Sequence, residues 1–198
     1  GLFGDIVAYT AGTIAVHLNA QSQVRRFSAS EVTALEAVKT EAQREAVRLF
    51  RGGKLAEAER LFEQALAEEP RAWMRREIRG WLVKCALRRR DRVQAGRRFL
   101  EIVEDEPAAR EYPLIPLVWG AGEGGRGLRQ QARQWLTGDS DVGRLLGASV
   151  LLLDPEYGDV TRSEVERLSR GLDRRVAALA RAQLWRLRVT ATDLTPLE

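Results

Sequence analysis

A chain of 198 residues with 44% hydrophobic and 30% charged content is ordinary globular material, which sets disorder aside and leaves room for one elongated domain or two small ones. Its longest apolar stretch, around "ASVLLLD", falls well short of the roughly 18 to 20 uninterrupted apolar residues of a membrane helix, so the chain is expected to be soluble. The net charge of +4 hides a lopsided choice of cation: 3 of the 32 basic residues are Lys and the rest Arg, which fits either genome composition or recognition of carboxylates and phosphates.

The start at Gly1 and a single methionine, Met74, suggest a processed or engineered end, so a removed signal segment and either redox compartment are compatible with the sequence. Cys85 is alone, which excludes an internal disulfide framework and a cysteine-rich zinc site.

Residues 1–37 read as a small β-module. "DIVAYT", "TIAVHL" and "QVRRFS" are short, rich in β-branched and aromatic residues, and separated by turn-like "AG" and "NAQS". Ile14, Val16 and Leu18 alternate with Thr13, Ala15 and His17, as a half-buried strand requires. "EVTALE" (31–36) is a candidate fourth strand. In topology alone, such a curled sheet resembles the Sm-like and SH3-like barrels. His17, the only histidine, is a catalytic base on paper and a structural or solvated side chain by the ordinary reading.

From Val38 the apolar period changes from two to about 3.6. "TEAQREAVRLFRGG" predicts a helix ended by Gly52 and Gly53, and "KLAEAERLFEQALAEEP" a second one ended before Pro70. Gly53, Leu55, Ala58, Phe62, Ala65 and Pro70 stand at the spacing of the second half of a tetratricopeptide repeat, which this stretch resembles. In that family small residues let two antiparallel helices approach while the aromatic fills the seam. The first helix matches less, with Glu45 where a large apolar residue is preferred before small Ala46. Ala95, Phe99, Ile102 and Pro107 repeat the spacing, and Pro70 to Pro107 spans 37 residues against the family's usual ~34. Two tetratricopeptide-like repeats are therefore expected over residues 38–107.

Residues 108–127, with Pro113, Pro116 and five glycines between Gly120 and Gly127, read as a connector and hinge. Beyond it Val142, Leu145, Ala148 and Leu151 recur as Val176, Leu179, Ala182 and Trp185 at a constant offset of 34. These segments resemble the second helices of two HEAT-like pairs, with "LRQQARQWL" and "TRSEVERLSRGL" as their first helices, over residues 128–198. The expected fold is mainly α: a solenoid of antiparallel helix pairs behind a small antiparallel sheet.

The glycines of "WGAGEGGRGLRQQ" match the spacing of a dinucleotide fingerprint, whose acidic partner would be Asp154 at the end of "VLLLD". Pro113 and Pro116 sit badly in a central strand, and "ASVLLL" already belongs to the helical echo, so a nucleotide enzyme is the remotest reading. The acidic runs Glu68-Glu69, Glu104 to Glu106 and Asp139 to Asp141 fall at helix ends, where carboxylates cap exposed N–H groups. No catalytic set, metal or cofactor is expected.

Charge is the feature that remains. Residues 71–100 carry eleven basic side chains against Glu77 and Asp91, nine positive charges net. With Met74, Ile78, Trp81, Leu82 and Cys85 as the apolar stripe of one helix, Arg75 and Arg79 run along its flank one turn apart. The tetratricopeptide resemblance implies that Arg71, Arg75, Arg76 and Arg79 line a concave groove for a peptide. If the extra turn is placed earlier, Lys84 and Trp81 line it instead. The alternative to a groove is a solvated face answered by Glu57, Glu59, Glu63, Glu101 and Glu104. The expected function is a non-catalytic scaffold binding a protein or acidic peptide; the runner-up is a basic nucleic-acid-binding protein that also uses "VRRF".

Overall fold

The computed structural model describes residues 3–18, 23–120 and 125–192, with the side chains of 189–192 outside the description. Strands β1 (Gly4–Tyr9), β2 (Thr13–Leu18) and β3 (Val24–Ser28) form an antiparallel sheet in the order β1-β2-β3. Eight α-helices follow among the described residues, packed as consecutive antiparallel pairs, so the protein is mainly helical. The pairs are α1 (Glu41–Arg51) with α2 (Leu55–Glu68), α3 (Ala72–Arg88) with α4 (Arg92–Asp105), α5 (Arg126–Leu136) with α6 (Asp141–Leu151), and α7 (Gly158–Ser169) with α8 (Arg174–Thr192). The chain divides into two compact units, Gly1–Ile115 and Pro116–Glu198.

In the first unit Ile14 pairs with Tyr9 and Phe27, and Val16 with Ile6 and Arg25, which puts Ile6, Tyr9, Ile14, Val16 and Phe27 on one face. Ile14 and Leu18 are buried, while Val16 is only half-buried and Ala15, of the opposite face, is buried as well. The expected fourth strand over "EVTALE" does not form. The Ser28 hydroxyl accepts from the Ser30 N–H and Glu31 Oε2 accepts the Ser28 N–H at 3.0 Å, a capping box that winds 29–31 into a 3-10 turn. Residues 32–39 then run without a ladder partner, with Leu35 and Ala37 packed on the helical core.

A second capping box starts α1: the Thr40 hydroxyl accepts from the Gln43 N–H at 3.2 Å, and Gln43 Oε1 accepts from the Thr40 N–H at 2.9 Å. The core behind it is built from Ala46, Leu49 and Phe50 of α1, Ala58, Phe62 and Ala65 of α2, and Trp73, Met74, Ile78, Leu82 and Cys85 of α3. Trp81 closes one side of it, stacked on Phe62 (centroids 5.8 Å, 8°) and edge-on to Phe50 (5.2 Å, 74°). Ala95, Phe99 and Ile102 are fully buried where α4 meets α3.

The turns inside both helix pairs of this unit use the same reverse step. After α1, Lys54 N–H reaches Leu49 O (3.0 Å) and Gly53 N–H reaches Phe50 O (3.2 Å), with Gly53 at φ 78°. After α3, Asp91 N–H reaches Ala86 O (2.9 Å) and Arg90 N–H reaches Leu87 O (3.0 Å), with Arg90 at φ 61°. This left-handed cap suits glycine, which has no Cβ to meet the following carbonyl.

In the second unit Gly147 lets α6 touch α5: a Cβ there would lie 2.4 Å from Ala132 O and 2.7 Å from Leu136 N. The segment at 117–120 is held by α6 and α8. Val118 N–H donates to Ser149 Oγ (3.1 Å), and Val118 O accepts from Gln183 Nε2 (3.2 Å) and Arg186 Nη1 (2.7 Å). Arg186 also reaches Ser149 O and Gly120 O, so a buried guanidinium serves carbonyls of three residues.

Replacing Arg90 by Gly is expected to raise the unfolding free energy by about 1 kcal/mol, the strain released at a left-handed residue. Urea unfolding of Arg90→Gly beside the parent checks this; an unchanged or lower midpoint would remove the strain account. Gly147→Ala is expected to destabilise by about 1 to 3 kcal/mol in the same assay, because backbone atoms cannot yield to the new methyl.

Candidate functional site

The helix that carries the predicted basic residues is buried on several sides. Trp81 of α3 meets α1 and α2, while Trp73 Nε1 donates to Ile6 O of the sheet at 3.0 Å. Gly80 lies under the 111–114 segment, where a Cβ would come within 3.1 Å of Leu114 Cδ1 and 3.2 Å of Glu111 Cγ. Apolar residues therefore occur round most of α3, and its cations are sorted among different neighbours.

Arg71 grips Glu69 with two nitrogens, Nε to Oε1 at 2.6 Å and Nη2 to Oε2 at 2.7 Å, and also donates to Val38 O. Its guanidinium lies 5.6 Å from the Trp73 ring centroid. The Glu69 carboxylate is buried and takes a further bond from Gln43 Nε2; the Arg71 hydrogen bonds hold its pKa below the usual carboxylate range against the opposing effect of burial. Arg76 is buried too, bound to Asp105 Oδ2 (2.9 Å) and Tyr9 O (3.2 Å). These two cations fasten the first unit together.

Arg79 donates to Glu101 of α4 at 3.2 Å, and Glu101 is shared with Arg98, which also pairs with Glu63 of α2. Arg89 pairs with Glu59. The acidic neighbours Glu59, Glu63 and Glu101 thus answer part of the nine-charge excess, whereas Glu57 turns to Lys54 (3.7 Å). Arg75 is exposed, with no ion pair among the described residues.

A different face of α3 looks toward α1. Lys84 Nζ sits 4.3 Å over the Trp81 ring, and Arg88 lies 4.1 Å over Phe50 while donating to Phe50 O at 3.1 Å. Neither cation has a carboxylate partner among the described residues. Arg88, one turn beyond Lys84, was outside the five predicted residues; its helical spacing from Lys84 is the signal that could have found it. Further along the same face Glu77 is clamped between Lys39 Nζ (2.5 Å) and Arg110 Nη2 (3.0 Å). The five residues therefore divide: Arg71 and Arg76 are structural ties, Arg75 and Arg79 lie on the α4 side, and Lys84 lies on the α1 side.

The other candidates have structural occupations. His17 is half-buried in β2, opposite Asp5 and Val24. Burial pushes the Cys85 thiol up to about 11. Asp105 holds Arg76, and Glu106 Oε1 accepts from the Ala108 N–H. Ser140, between the two aspartates expected to cap α6, is the residue that does so, accepting from the Gly143 N–H at 3.3 Å, while Asp141 pairs with Arg167 at 2.7 Å. Residues 121–124 of the glycine run lie outside the described residues. Leu117 to Trp119 is not a strand, "SVL" ends helix α6, and Asp154 is committed to Arg129 at 2.7 Å. Among the described residues no group of three or more His, Cys, Asp or Glu is placed to hold a metal ion. No described helix is long and apolar enough to cross a membrane.

Comparison of the chain with protein-family models, with curated proteins and with solved structures finds no match.

Glu69 has its pKa lowered on folding, so its stabilisation is present above the unfolded carboxylate range and lost as pH falls through the folded value. Glu69→Gln is therefore expected to be less stable than the parent at pH 7, with the gap narrowing toward pH 3; a gap independent of pH in urea unfolding would reject this. The Cys85 thiol is expected to resist a thiol reagent at pH 8 in the folded chain and to react on denaturation, since a buried thiol with pKa about 11 presents little thiolate.

Proposed function

We propose that the protein is a non-catalytic interaction scaffold whose first unit is built from two tetratricopeptide-like helix pairs and whose second unit is built from two HEAT-like pairs. The observation that carries this reading is the burial of the residues on which the resemblance rests. Ala58, Phe62 and Ala65 in α2, and Ala95, Phe99 and Ile102 thirty-seven positions on in α4, are all essentially inaccessible. Small residues and an aromatic at these points are what close packing between antiparallel helices needs.

In that register the first helices of the pairs, α1 and α3, line the inner surface. The contacts of Trp81 and Arg88 with Phe50 of α1, and the seat of Lys84 over the Trp81 ring, favour the placement in which Lys84, rather than Arg75, faces a bound peptide. Cations lying on aromatic rings and lacking carboxylate partners suit an extended acidic peptide, with the rings contributing apolar contact. A second reading, contact with nucleic acid, draws on Arg25 and Arg26, both exposed on edge strand β3.

The test is binding of fluorescein-labelled acidic peptides and of mixed-sequence RNA across a salt series. Lys84→Glu is expected to weaken peptide binding about tenfold, a loss of ~1.4 kcal/mol, while Arg75→Glu leaves it near the parent value. RNA bound more tightly than any peptide, with a steep salt slope removed by Arg25→Glu and Arg26→Glu, would instead select the nucleic-acid reading.

A further inference from the structure

The repeat of Val142, Leu145, Ala148 and Leu151 thirty-four residues later allows two helices of the second unit to be compared position by position. In α6, Leu145, Ala148 and Leu151 are 0%, 0% and 1% exposed. That helix has a neighbour on each side, α5 before it and α7 after it, and α7 is fastened by Arg167 to Asp141 (2.7 Å) and by Glu164 to Arg144 (3.7 Å). The counterparts in α8 are Leu179 and Ala182, both half-buried, and Trp185, which is 68% exposed. Helix α8 packs on α7 and α6; Arg186, one turn after Ala182, holds the 118–120 segment along one edge of this face, and no later helix among the described residues covers the part that carries Trp185.

We infer that the α8 face carrying Leu179, Ala182 and Trp185 is a docking site for an acidic amphipathic helix of a partner protein. The comparison is with the α6 face, whose matching positions are buried and which is tied to α7 through Asp141 and Arg144. Charge specifies the partner. Where α6 offers α7 one acid and one base, Asp141 and Arg144, the counterparts in α8 are Arg175 and Ala178. From Arg174 to Thr192 the helix holds five arginines and no Asp or Glu; of these Arg175 pairs with Asp173 (3.9 Å) and Arg186 is buried on backbone carbonyls. Arg174 and Arg181 are exposed; Arg181 spends one nitrogen on Ser169 O (3.0 Å). A second copy of α8 laid on this face would bring arginine against arginine, whereas a helix flanked by glutamates would be attracted and would bury an exposed indole. This surface is separate in sequence and in unit from Lys84 and Arg88.

The probe is a helix-stabilised peptide of about 18 residues, long enough to be helical in water, with Leu and Ala at i, i+3, i+4 and i+7 and Glu on the flanks. Its counterpart carries Lys for Glu. Titrated against the full chain, the Glu peptide is expected to bind saturably at one site and to weaken about tenfold for Trp185→Ser and for Arg181→Glu, with each variant keeping the parent's helical circular-dichroism spectrum. Lys84→Glu should leave this binding intact, so loss of the peptide groove and loss of this site are told apart. The inference is overturned by absence of binding, by equal binding of the Lys peptide, or by Glu-peptide binding indifferent to both α8 variants. Sedimentation showing a dimer that Trp185→Ser dissociates would also overturn it, by giving the face to a second copy.

Discussion

A guanidinium can be buried only if its charge and its N–H groups are met where they lie, and Arg76 fulfils that condition by joining three elements at once. It sits on α3, reaches Asp105 at the end of α4, and takes the carbonyl of Tyr9 at the end of β1. Removing a partner would leave a charge stranded out of water, at a cost of several kcal/mol. Beside it Trp73 makes the second tie to the sheet through Ile6 O, and Arg110 lies 4.5 Å over the Tyr9 ring. The sheet exposes most of β1 and β3, and this polar clasp acts together with the burial of Ile14 and Leu18 to fix where it sits.

The second unit solves a similar problem with another buried arginine. Arg186 is bound by backbone carbonyls of Val118, Ser149 and Gly120 and by the Gln183 amide. In both units a stretch of chain remote in sequence is held on a helix by a guanidinium whose planar fork supplies several donors at fixed angles. The scarcity of lysine, 3 of 32 basic residues, is consistent with this use, because an ammonium could not span such partners.

Much of the helical layout was legible, since periodicity, glycine stops and capping residues are local signals. Gly53 marks a helix end that the structure also has, whereas α6 is capped by Ser140 where the flanking aspartates were expected. The strand expected over "EVTALE" was lost to Ser28 and Glu31, whose side chains close a turn that alternation of residue type does not reveal. Partition of the arginines was illegible for another reason. Whether Arg76 or Arg75 is buried depends on which elements surround α3, and Tyr9 and Asp105 are remote in sequence. Trp185 was read as the counterpart of a buried leucine, and its exposure is set by the neighbours of α8 rather than by the residues of the helix itself.

The clasp between sheet and helices changes how the first unit would respond to insertion or loss of a helix pair. In an open array each pair touches only its neighbours, so length can drift by whole repeats and stability is a sum of local contributions. Here Ala11 N–H meets Ala108 O at 2.9 Å, Trp73 meets Ile6, and Glu77 is shared by Lys39 and Arg110, so the beginning and end of the unit are bonded across the pairs between them. Such closure couples distant stretches into one cooperative transition, and places the loop entropy of about a hundred residues on contacts formed late. The first unit is in this sense a fixed-length ring of interactions, its helix pairs closed by the strands at one end and the 108–111 segment at the other.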